Sequence, residues 1–156
     1  MSASARDFQL RLARSGDVSS LVNIASLANA RLDNEARFSS AGENGGARTE
    51  TILVLTRKEI VQGYLSYTRV LDEVTILDVA IHPDEQGQGL GRILLSGSIQ
   101  QMLSLGVERC LLEVRESNLA ARALYAKLDF QLDGQRKNYY PAENGRENAL
   151  LMSRQL

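Results

Sequence analysis

Residues 77–95 read LDVAIHPDEQGQGLGRILL: a buried strand, a tight turn, a glycine-rich loop and the start of a helix. In this stretch Gln86, Gly89 and Gly91 form a Q-x-x-G-x-G pattern immediately before an apolar helical run. Glycines let the backbone approach a ligand closely, and the free N–H groups at a helix start attract phosphate. The stretch therefore predicts a loop that binds a phosphorylated cofactor.

The bulk composition excludes several classes of protein. The 156 residues fit a single domain spanning 1–156, large enough to build a core without disulfides. With 18 basic and 19 acidic residues the net charge is −1, so we expect no direct binding to nucleic acid. One cysteine and one histidine exclude an internal disulfide and a Cys/His zinc site, and we expect no metal. No apolar run resembles a signal peptide or is long enough to span a membrane, which predicts a cytoplasmic protein with no membrane contact.

Hydrophobic periodicity predicts alternating strands and helices along the chain. The predicted strands cover residues 8–12, 51–57, 60–70, 74–81, 109–115, 130–140 and 147–154. The predicted helices cover residues 18–30, 32–38 (a weaker pattern), 90–105 and 118–128. This order, β-α-α-β-β-β-α-β-α-β-β, predicts an α/β fold of the α+β kind, with a mixed sheet and helices on both faces.

Local signals add detail to this order. Residues 15–17 resemble a turn and helix cap, Lys58-Glu59 a tight hairpin connection, and Ser117 the cap of the last helix. The strand at 74–81 is apolar on both faces apart from Asp78, so it should be central. A glycine-rich loop is expected at 39–48, and another loop at 141–145 between the last two strands.

Three kinds of phosphate-binding loop compete for the glycine pattern. A dinucleotide fingerprint needs a third glycine where this chain has Arg92, and a P-loop needs a lysine that is missing. The remaining interpretation is a loop that binds coenzyme A, with the pyrophosphate on the amides of residues 86–92 and Arg92 in the first helical turn. The alternative is that Gly87, Gly89 and Gly91 only shape a loop.

Four longer sequence segments indicate which kind of loop this is. The stretch at 77–95, LEVRESNLAARALYAKLDF at 112–130, KNYYP at 137–141 and GRENALLM at 145–152 resemble the GCN5-related N-acetyltransferases (GNAT family). The closest likeness is to the bacterial ribosomal-protein-alanine N-acetyltransferases of the RimI type. The resemblance covers nearly the whole chain and implies a GNAT fold in which splayed central strands hold acetyl-CoA.

The resemblance also implies which residues contact acetyl-CoA. One backbone N–H on the strand should polarise the thioester carbonyl, which requires the strands ending at Ile81 and Arg115 to splay, aided by a bulge near Val79. The implied cofactor contacts are Val79, Ala80, Ile81, Gln86, Gly87, Gln88, Gly89, Leu90, Gly91, Arg92 and Asn118. The chain departs from the family pattern at Gly87 and Gln88, where arginine is frequent. Asp129 stands where a helix-ending glycine is usual, and Asp tolerates the left-handed conformation.

Glu113 is the candidate general base. It lies in the middle of an apolar strand, where a charge is costly unless it is paired or used. Acyl transfer needs an amine that has lost its proton, and the resemblance assigns the acceptor of that proton to this glutamate. The alternative is a rim glutamate that forms a salt bridge with Arg115 or Arg136. Asp78 and Glu85 are weaker candidates.

Tyr125 and Asn118 are seven residues apart, two helical turns, so they should face the same way. The resemblance assigns Tyr125 to protonation of the departing thiolate, and Asn118 can bond the pantetheine or pyrophosphate arm. The alternatives are core packing for Tyr125 and a simple helix-start role for Asn118. His82 and Cys110 are interpreted as structural.

The implied acceptor is a peptide N-terminus, the alanine start of a small-subunit ribosomal protein. Residues 136–141 would hold it, together with the helix at 32–38 and the loop at 39–48, although 136–141 could equally be a solvated hairpin. Two alternative functions are acetylation of a polyamine or aminoglycoside and non-catalytic sensing of acyl-CoA. A monomer is expected.

Overall fold

The computed structural model describes residues 4–28 and 50–156, in which seven strands form one sheet ordered β1-β2-β3-β4-β5-β7-β6. The strands are β1 Gln9–Leu12, β2 Glu50–Arg57, β3 Ile60–Val70, β4 Glu73–Ile81, β5 Arg109–Arg115, β6 Gln131–Ala142 and β7 Gly145–Gln155. The helices are α1 Val18–Leu27, α2 Leu90–Ser104 and α3 Leu119–Lys127, with 3-10 turns at Ala5–Asp7, Ser15–Asp17 and Pro83–Glu85. Only β4 and β5 pair in parallel, so the predicted mixed sheet is confirmed. The predicted helix at 32–38 and loop at 39–48 lie outside the described residues.

Helices cover both faces of the sheet, as predicted. Strand residues alternate between two cores: in β2, Leu53 and Leu55 join one core, while Ile52 and Val54 join the other. The first core includes side chains of α2 and α3, and we call this side of the sheet the α2 face. The second core includes side chains of α1, and we call that side the α1 face.

The central strands diverge. Parallel pairing joins Glu73–Ile76 of β4 only to Arg109–Leu112 of β5, yet both strands continue beyond these pairs. The β3–β4 register shifts between Ser66, opposite Asp78, and Tyr67, opposite Ile76, so Leu77 is a bulge. A bulge bends its strand and increases its twist. The predicted splay is therefore present, with the bulge two residues before Val79, and we call the opening the β4–β5 gap.

Two predicted turns are confirmed in detail. Lys58 and Glu59 have left-handed φ values of 50° and 64°, as a two-residue hairpin turn requires. Asp129 has a φ of 65° just after α3 and takes the conformation that a helix-ending glycine would adopt.

The cap of α3 was predicted wrongly. Asn118, not Ser117, is the capping residue, and its Oδ1 accepts the Ala121 N–H at 3.2 Å. The Ser117 hydroxyl instead donates to Glu147 Oε1 at 3.0 Å. Both residue types cap helices well. Ser117 does not cap α3 because its hydroxyl is bound to Glu147, which lies thirty positions away in the chain, on β7.

The predicted loop at 141–145 is also too long. Strand β6 continues to Ala142 and β7 begins at Gly145, with Pro141 paired opposite Arg146. Proline lacks the N–H that an interior strand needs, but β6 is the edge strand of this sheet. Strand pairing can therefore continue through Pro141.

Candidate active site

The edge of β4 that faces the gap offers backbone donors. His82 donates its N–H to the Gln62 carbonyl at 2.8 Å, toward β3. Because N–H groups alternate in direction along an antiparallel strand, the Ala80 N–H also points to β3, and those of Val79 and Ile81 point into the gap. Ala80 has its side chain in the α1-face core, so its part in any ligand contact is less direct than predicted.

The loop between β4 and α2 presents free N–H groups to solvent. Gly87 and Gly89 have φ values of 79° and 82°, which only glycine adopts readily. The first bond of α2 runs from the Ile93 N–H to the Gly89 carbonyl, so the preceding amides have no helical acceptor. This geometry suits an anion, and the exposed Arg92 adds positive charge to the first turn.

The loop residues divide into different roles. Gln86 donates its backbone N–H to Pro83 and its side-chain amide to the Ile81 carbonyl at 3.0 Å, so it braces the loop. Leu90 is buried in the core, which leaves only its backbone for a ligand. A Cβ on Gly91 would lie 3.3 Å from Leu124 of α3, whereas one on Gly87 or Gly89 would meet open space. Gly91 is therefore a packing residue as well as a loop residue.

The Gln88 side chain also has a partner within the loop. Its Nε2 donates to Glu85 Oε2 at 3.3 Å, and the His82 ring Nδ1 accepts the Asp84 N–H at 3.1 Å. His82 thus holds the turn before the loop, which agrees with the structural role expected for it. Glu85 is held within the loop, so nothing in its contacts favours it as the base.

Glu113 lies on the α1 face, at the gap. Its neighbours Leu112 and Val114 are in the α2-face core, so alternation turns Glu113 to the opposite side. It is the first residue of β5 beyond the last pair with β4. Its Oε1 lies 3.3 Å from Arg136 Nε, with 28% of the Glu113 side chain and 56% of the Arg136 side chain exposed. The salt bridge of the alternative interpretation therefore forms, with Arg136, and the Glu113 side chain stays partly exposed.

Tyr125 approaches the sheet from the α2 face. It is 8% exposed and packs against Phe130, with ring centroids 5.8 Å apart. Burial, followed by the nearby charge of Asp78, raises the pKa of Tyr125 to about 12. The phenol is therefore protonated at physiological pH. The side chain packs in the core, as the alternative interpretation has it, and its role as a proton donor stays a prediction.

The basic and aromatic segment predicted to hold the acceptor lies beside Glu113. Tyr139 and Tyr140 pack edge to face at 4.9 Å, and the Arg115 guanidinium lies over the Tyr140 ring at 4.4 Å. Burial, and then the charge of Glu113, raises the pKa of Tyr140. The β6–β7 register breaks between Arg136 and Tyr140, so this part of β6 is irregular where it approaches the site.

Sequence reasoning missed Tyr64, whose hydroxyl donates to Asp78 Oδ2 at 2.6 Å. A buried tyrosine in an apolar strand has the pattern of a core residue, and only the β3–β4 register brings the two side chains together. Cys110 is fully buried, and burial raises the pKa of its thiol to about 12, so it is not poised as a nucleophile.

No group of three or more His, Cys, Asp or Glu side chains within residues 4–28 and 50–156 could hold a metal ion. None of the helices found there is both long and apolar enough to cross a membrane.

Comparison with known proteins relates the fold and the site to characterised enzymes. A family model described as "Acetyltransferase (GNAT) family" matches residues 20–130. The [ribosomal protein bS18]-alanine N-acetyltransferase of Escherichia coli K12 is 50% identical over 84 residues, which is 54% of this chain and 57% of that enzyme. The match thus spans less than two thirds of that relative's length. The enzyme of the same name from Haemophilus influenzae is 42% identical over 117 residues, covering 74% of this chain and 79% of the relative.

Solved structures of acetyltransferases have the same fold as this chain. The ribosomal-protein-S18-alanine N-acetyltransferase of Escherichia coli superimposes with a TM-score of 0.84 and 35% identity, covering 94% of this chain and 92% of that one. The structure of yncA from Salmonella typhimurium, with its cofactor acetyl-CoA, has a TM-score of 0.80 and 25% identity and covers 96% and 94% of the two chains.

Proposed function

Since this chain belongs to the acetyltransferase (GNAT) family, we propose that it transfers the acetyl group of acetyl-CoA to the α-amine of an N-terminal alanine of a small-subunit ribosomal protein. The observation that supports the reaction is the position of Glu113, a partly exposed carboxylate on the first residue of β5 beyond the last pair with β4, where the gap opens. The acceptor is proposed from the relatives, which are named for alanine N-acetylation of ribosomal protein bS18.

The cosubstrate fits the free edges of the site. Its pyrophosphate would lie on the N–H groups of the loop at 87–92, and its thioester would lie in the gap, with the carbonyl accepting the Val79 N–H. The oxygen of the Asn118 side chain caps α3, so its NH2 group would be the part that bonds the pantetheine or pyrophosphate arm. The loop and the gap are adjacent because β4 leads directly into the loop.

The chemistry is a direct transfer. The acceptor ammonium loses one proton to Glu113, directly or through a water, and the nitrogen lone pair then attacks the thioester carbon. The C–N bond forms, the C–S bond breaks, and the sulfur leaves with the bonding electron pair. The nitrogen then gives its second proton to water, which leaves a neutral amide and a thiolate. The buried thiol of Cys110 takes no part, and trapping a stable acetyl-enzyme on it during turnover would contradict this mechanism.

Tyr125 then acts as a hydrogen-bond donor to the leaving sulfur. Its pKa of about 12 lies well above that of a thiol. Complete proton transfer from such a weak acid to a thiolate of pKa about 8.5 is unfavourable at equilibrium. A hydrogen bond from the phenol stabilises the developing negative charge without that cost. We therefore replace the expected protonation step by hydrogen bonding.

The surroundings of Glu113 favour a peptide over a polyamine as acceptor. Its described neighbours on β5 and β6 are Arg115, Arg136 and Tyr140, which are basic or aromatic and can hold a peptide carbonyl or an acidic side chain. The guanidinium groups of Arg115 and Arg136 would repel the additional positive charges of a polyamine. We further propose that the protein works as a cytoplasmic monomer without direct contact to nucleic acid or membrane.

Release of coenzyme A thiol with a panel of acceptors tests the function. The panel pairs peptides that start with Ala, Ser, Met or Gly with spermidine and a lysine side-chain peptide. We expect the alanine-start peptide to react fastest. Strong turnover of spermidine with none of any peptide α-amine would overturn the acceptor, and tight acetyl-CoA binding without any thiol release would identify a sensor instead.

The two ends of α2 offer a matched test of the cosubstrate site. Gly89 and Gly106 have φ values of 82° and 80°, and a Cβ at either position would meet nothing within 4 Å. Gly89→Val and Gly106→Val therefore carry similar backbone strain. Calorimetry on the folded variants should show weaker acetyl-CoA binding, by about tenfold or more, only for Gly89→Val. Equal affinity in both variants would mean that the loop is purely structural.

A further inference from the structure

Strand β4 changes the face that its side chains present at the bulge residue Leu77. Before the bulge, Val74 and Ile76 lie in the α2-face core. After it, Val79 packs against that core and Ala80 lies in the α1-face core. One extra residue shifts the two-residue alternation by one position. Asp78, which would otherwise share a face with Ile76, therefore points to the α1 face.

This shift places Asp78 on the same face as Glu113. Asp78 is the second residue of β4 beyond the last β4–β5 pair, and Glu113 is the first such residue of β5. The two carboxylates thus stand on diverging strands at the mouth of the gap, on the side opposite Tyr125. An acceptor that enters from the α1 face meets both of them.

Asp78 is held in place by a buried donor. The Tyr64 side chain is 0% exposed in the α1-face core, and its hydroxyl donates to Asp78 Oδ2 at 2.6 Å. Tyr64 pairs with Ala80, which lies two residues after Asp78 on the same face of β4. A hydrogen bond fixes the orientation of a carboxylate, and a carboxylate in a partly buried position can pair with a cation. The charge of Asp78 also reaches Tyr125, since it contributes to the raised pKa of that phenol.

We propose that Asp78, oriented by Tyr64, binds the protonated amine of the acceptor at the mouth of the β4–β5 gap. This inference rests on the proposed acetyl transfer and adds a residue that recognises the ammonium before Glu113 takes its proton. A peptide α-amine has a pKa of roughly 7.7–8.0, so it arrives mostly protonated at neutral pH. Separate carboxylates for binding and for proton acceptance allow the amine to be captured charged and to react neutral.

Asp78→Asn tests the subsite because it removes the charge but keeps an oxygen that can accept from Tyr64. With the amine that the wild type acetylates best, we expect the KM for that amine to rise about tenfold or more, with little change in acetyl-CoA affinity or Tm. Glu73→Gln is the matched control: it removes a carboxylate from the far end of β4, where Glu73 pairs with Arg109 at 3.5 Å. The control should leave the KM unchanged.

A binding measurement separates recognition of charge from a structural effect. Calorimetry on the coenzyme A-bound protein compares an alanine-start peptide with its N-acetylated, uncharged form. Asp78→Asn should weaken binding of the free peptide and leave that of the acetylated peptide unchanged. Equal losses for both peptides, or no loss for either, would overturn the subsite.

Failure of the proposed function would look different. If the wild type binds the free peptide but acetylates no amine, the acetyl transfer is overturned while the effect of Asp78→Asn on binding still decides the subsite. If the wild type binds neither the peptide nor spermidine, both proposals are wrong.

Discussion

Two arginine–carboxylate pairs on this sheet differ in geometry and in exposure. Arg11 and Asp17 form a two-pronged pair, with N–O distances of 2.7 and 3.0 Å, and Asp17 also accepts the Arg14 N–H at 2.7 Å. Their side chains are 17% and 10% exposed. Glu113 and Arg136 share one contact of 3.3 Å, and their side chains are 28% and 56% exposed.

The difference separates a carboxylate that holds the fold from one that can react. Hydrogen bonding from Arg11 lowers the pKa of Asp17, despite the opposing effect of burial, so this group is fixed in its ionised form. A general base must instead accept a proton and therefore cannot have its oxygens fully used. The single contact to the exposed Arg136 meets that requirement.

Glu113→Gln should produce the largest effect on the reaction. Removal of the proton acceptor is expected to lower kcat about a hundredfold or more, since positioned bases contribute about 10²–10⁴. The Tm and the acetyl-CoA affinity should change little, because the lost ion pair is exposed. Full activity of this variant across the pH range would rule out Glu113 as the base.

Asp17→Asn should lower the stability of the fold and leave the activity unchanged. We expect a loss of about 2 kcal/mol in the free energy of unfolding, because hydrogen bonds to charged groups contribute about 1.5–3 kcal/mol each. Turnover per folded molecule should stay at the wild-type level. Chemical denaturation and steady-state kinetics on the same preparation measure both quantities, and a selective loss of kcat would contradict the distinction between the two pairs.

The same variant has a defined pH dependence. The pKa of Asp17 is lower in the folded state than its ordinary value of 3.8. Its stabilisation is therefore fully present above that value and is lost as the pH falls through the folded pKa. The difference in Tm between wild type and Asp17→Asn should be constant near neutrality and shrink in acid below about pH 4.

Tyr125→Phe tests the proposed hydrogen-bond donor on the α2 face. Its expected effect on kcat is smaller than that of Glu113→Gln. Loss of the hydrogen bond to the leaving sulfur should lower kcat about tenfold. Because the pKa of Tyr125 is about 12, the phenol stays protonated to pH 10, and the ratio of wild-type to variant kcat should not change between pH 7 and 10. A ratio that varies over this range would show that Tyr125 titrates there.

Arg136→Gln should have the smallest effect on stability. An exposed ion pair contributes about 0–1 kcal/mol, so denaturation curves of the variant and the wild type should nearly coincide. Arg11→Gln, which leaves Asp17 without its two-pronged partner, is the comparison. Similar losses in the two variants would mean that the Glu113 pair is as structural as the Asp17 pair.

Local patterns predicted the elements well because their causes are local. The Lys58-Glu59 turn, the start of α2 after Gly89 and the left-handed Asp129 follow from backbone preferences that need no partner. The errors occurred where two local choices were equally good. Ser117 and Asn118 can both cap a helix, and Pro141 can end a strand or continue an edge.

The candidate site could be proposed from the sequence as a set of residues, which stays a prediction, but not as an arrangement. Glu113, Tyr125 and the loop at 86–92 were identified by their strings and by the resemblance these carry. Their division between two faces required the cores on each side of the sheet. The partner of Glu113 also stayed open between Arg115 and Arg136, because Arg115 is on β5 and Arg136 is on β6, and only the pairing of both strands with β7 brings them together.

The sequence by itself determined the order of strands and helices and the glycine loop, because alternation, helical spacing and backbone freedom act over a few neighbouring residues. Only the tertiary structure decided which way Asp78 points. A single bulge at Leu77 reverses the alternation of β4, and the β3–β4 register brings the buried Tyr64 hydroxyl to the carboxylate. A bulge depends on pairing between strands, so a pattern read along one strand does not reveal it.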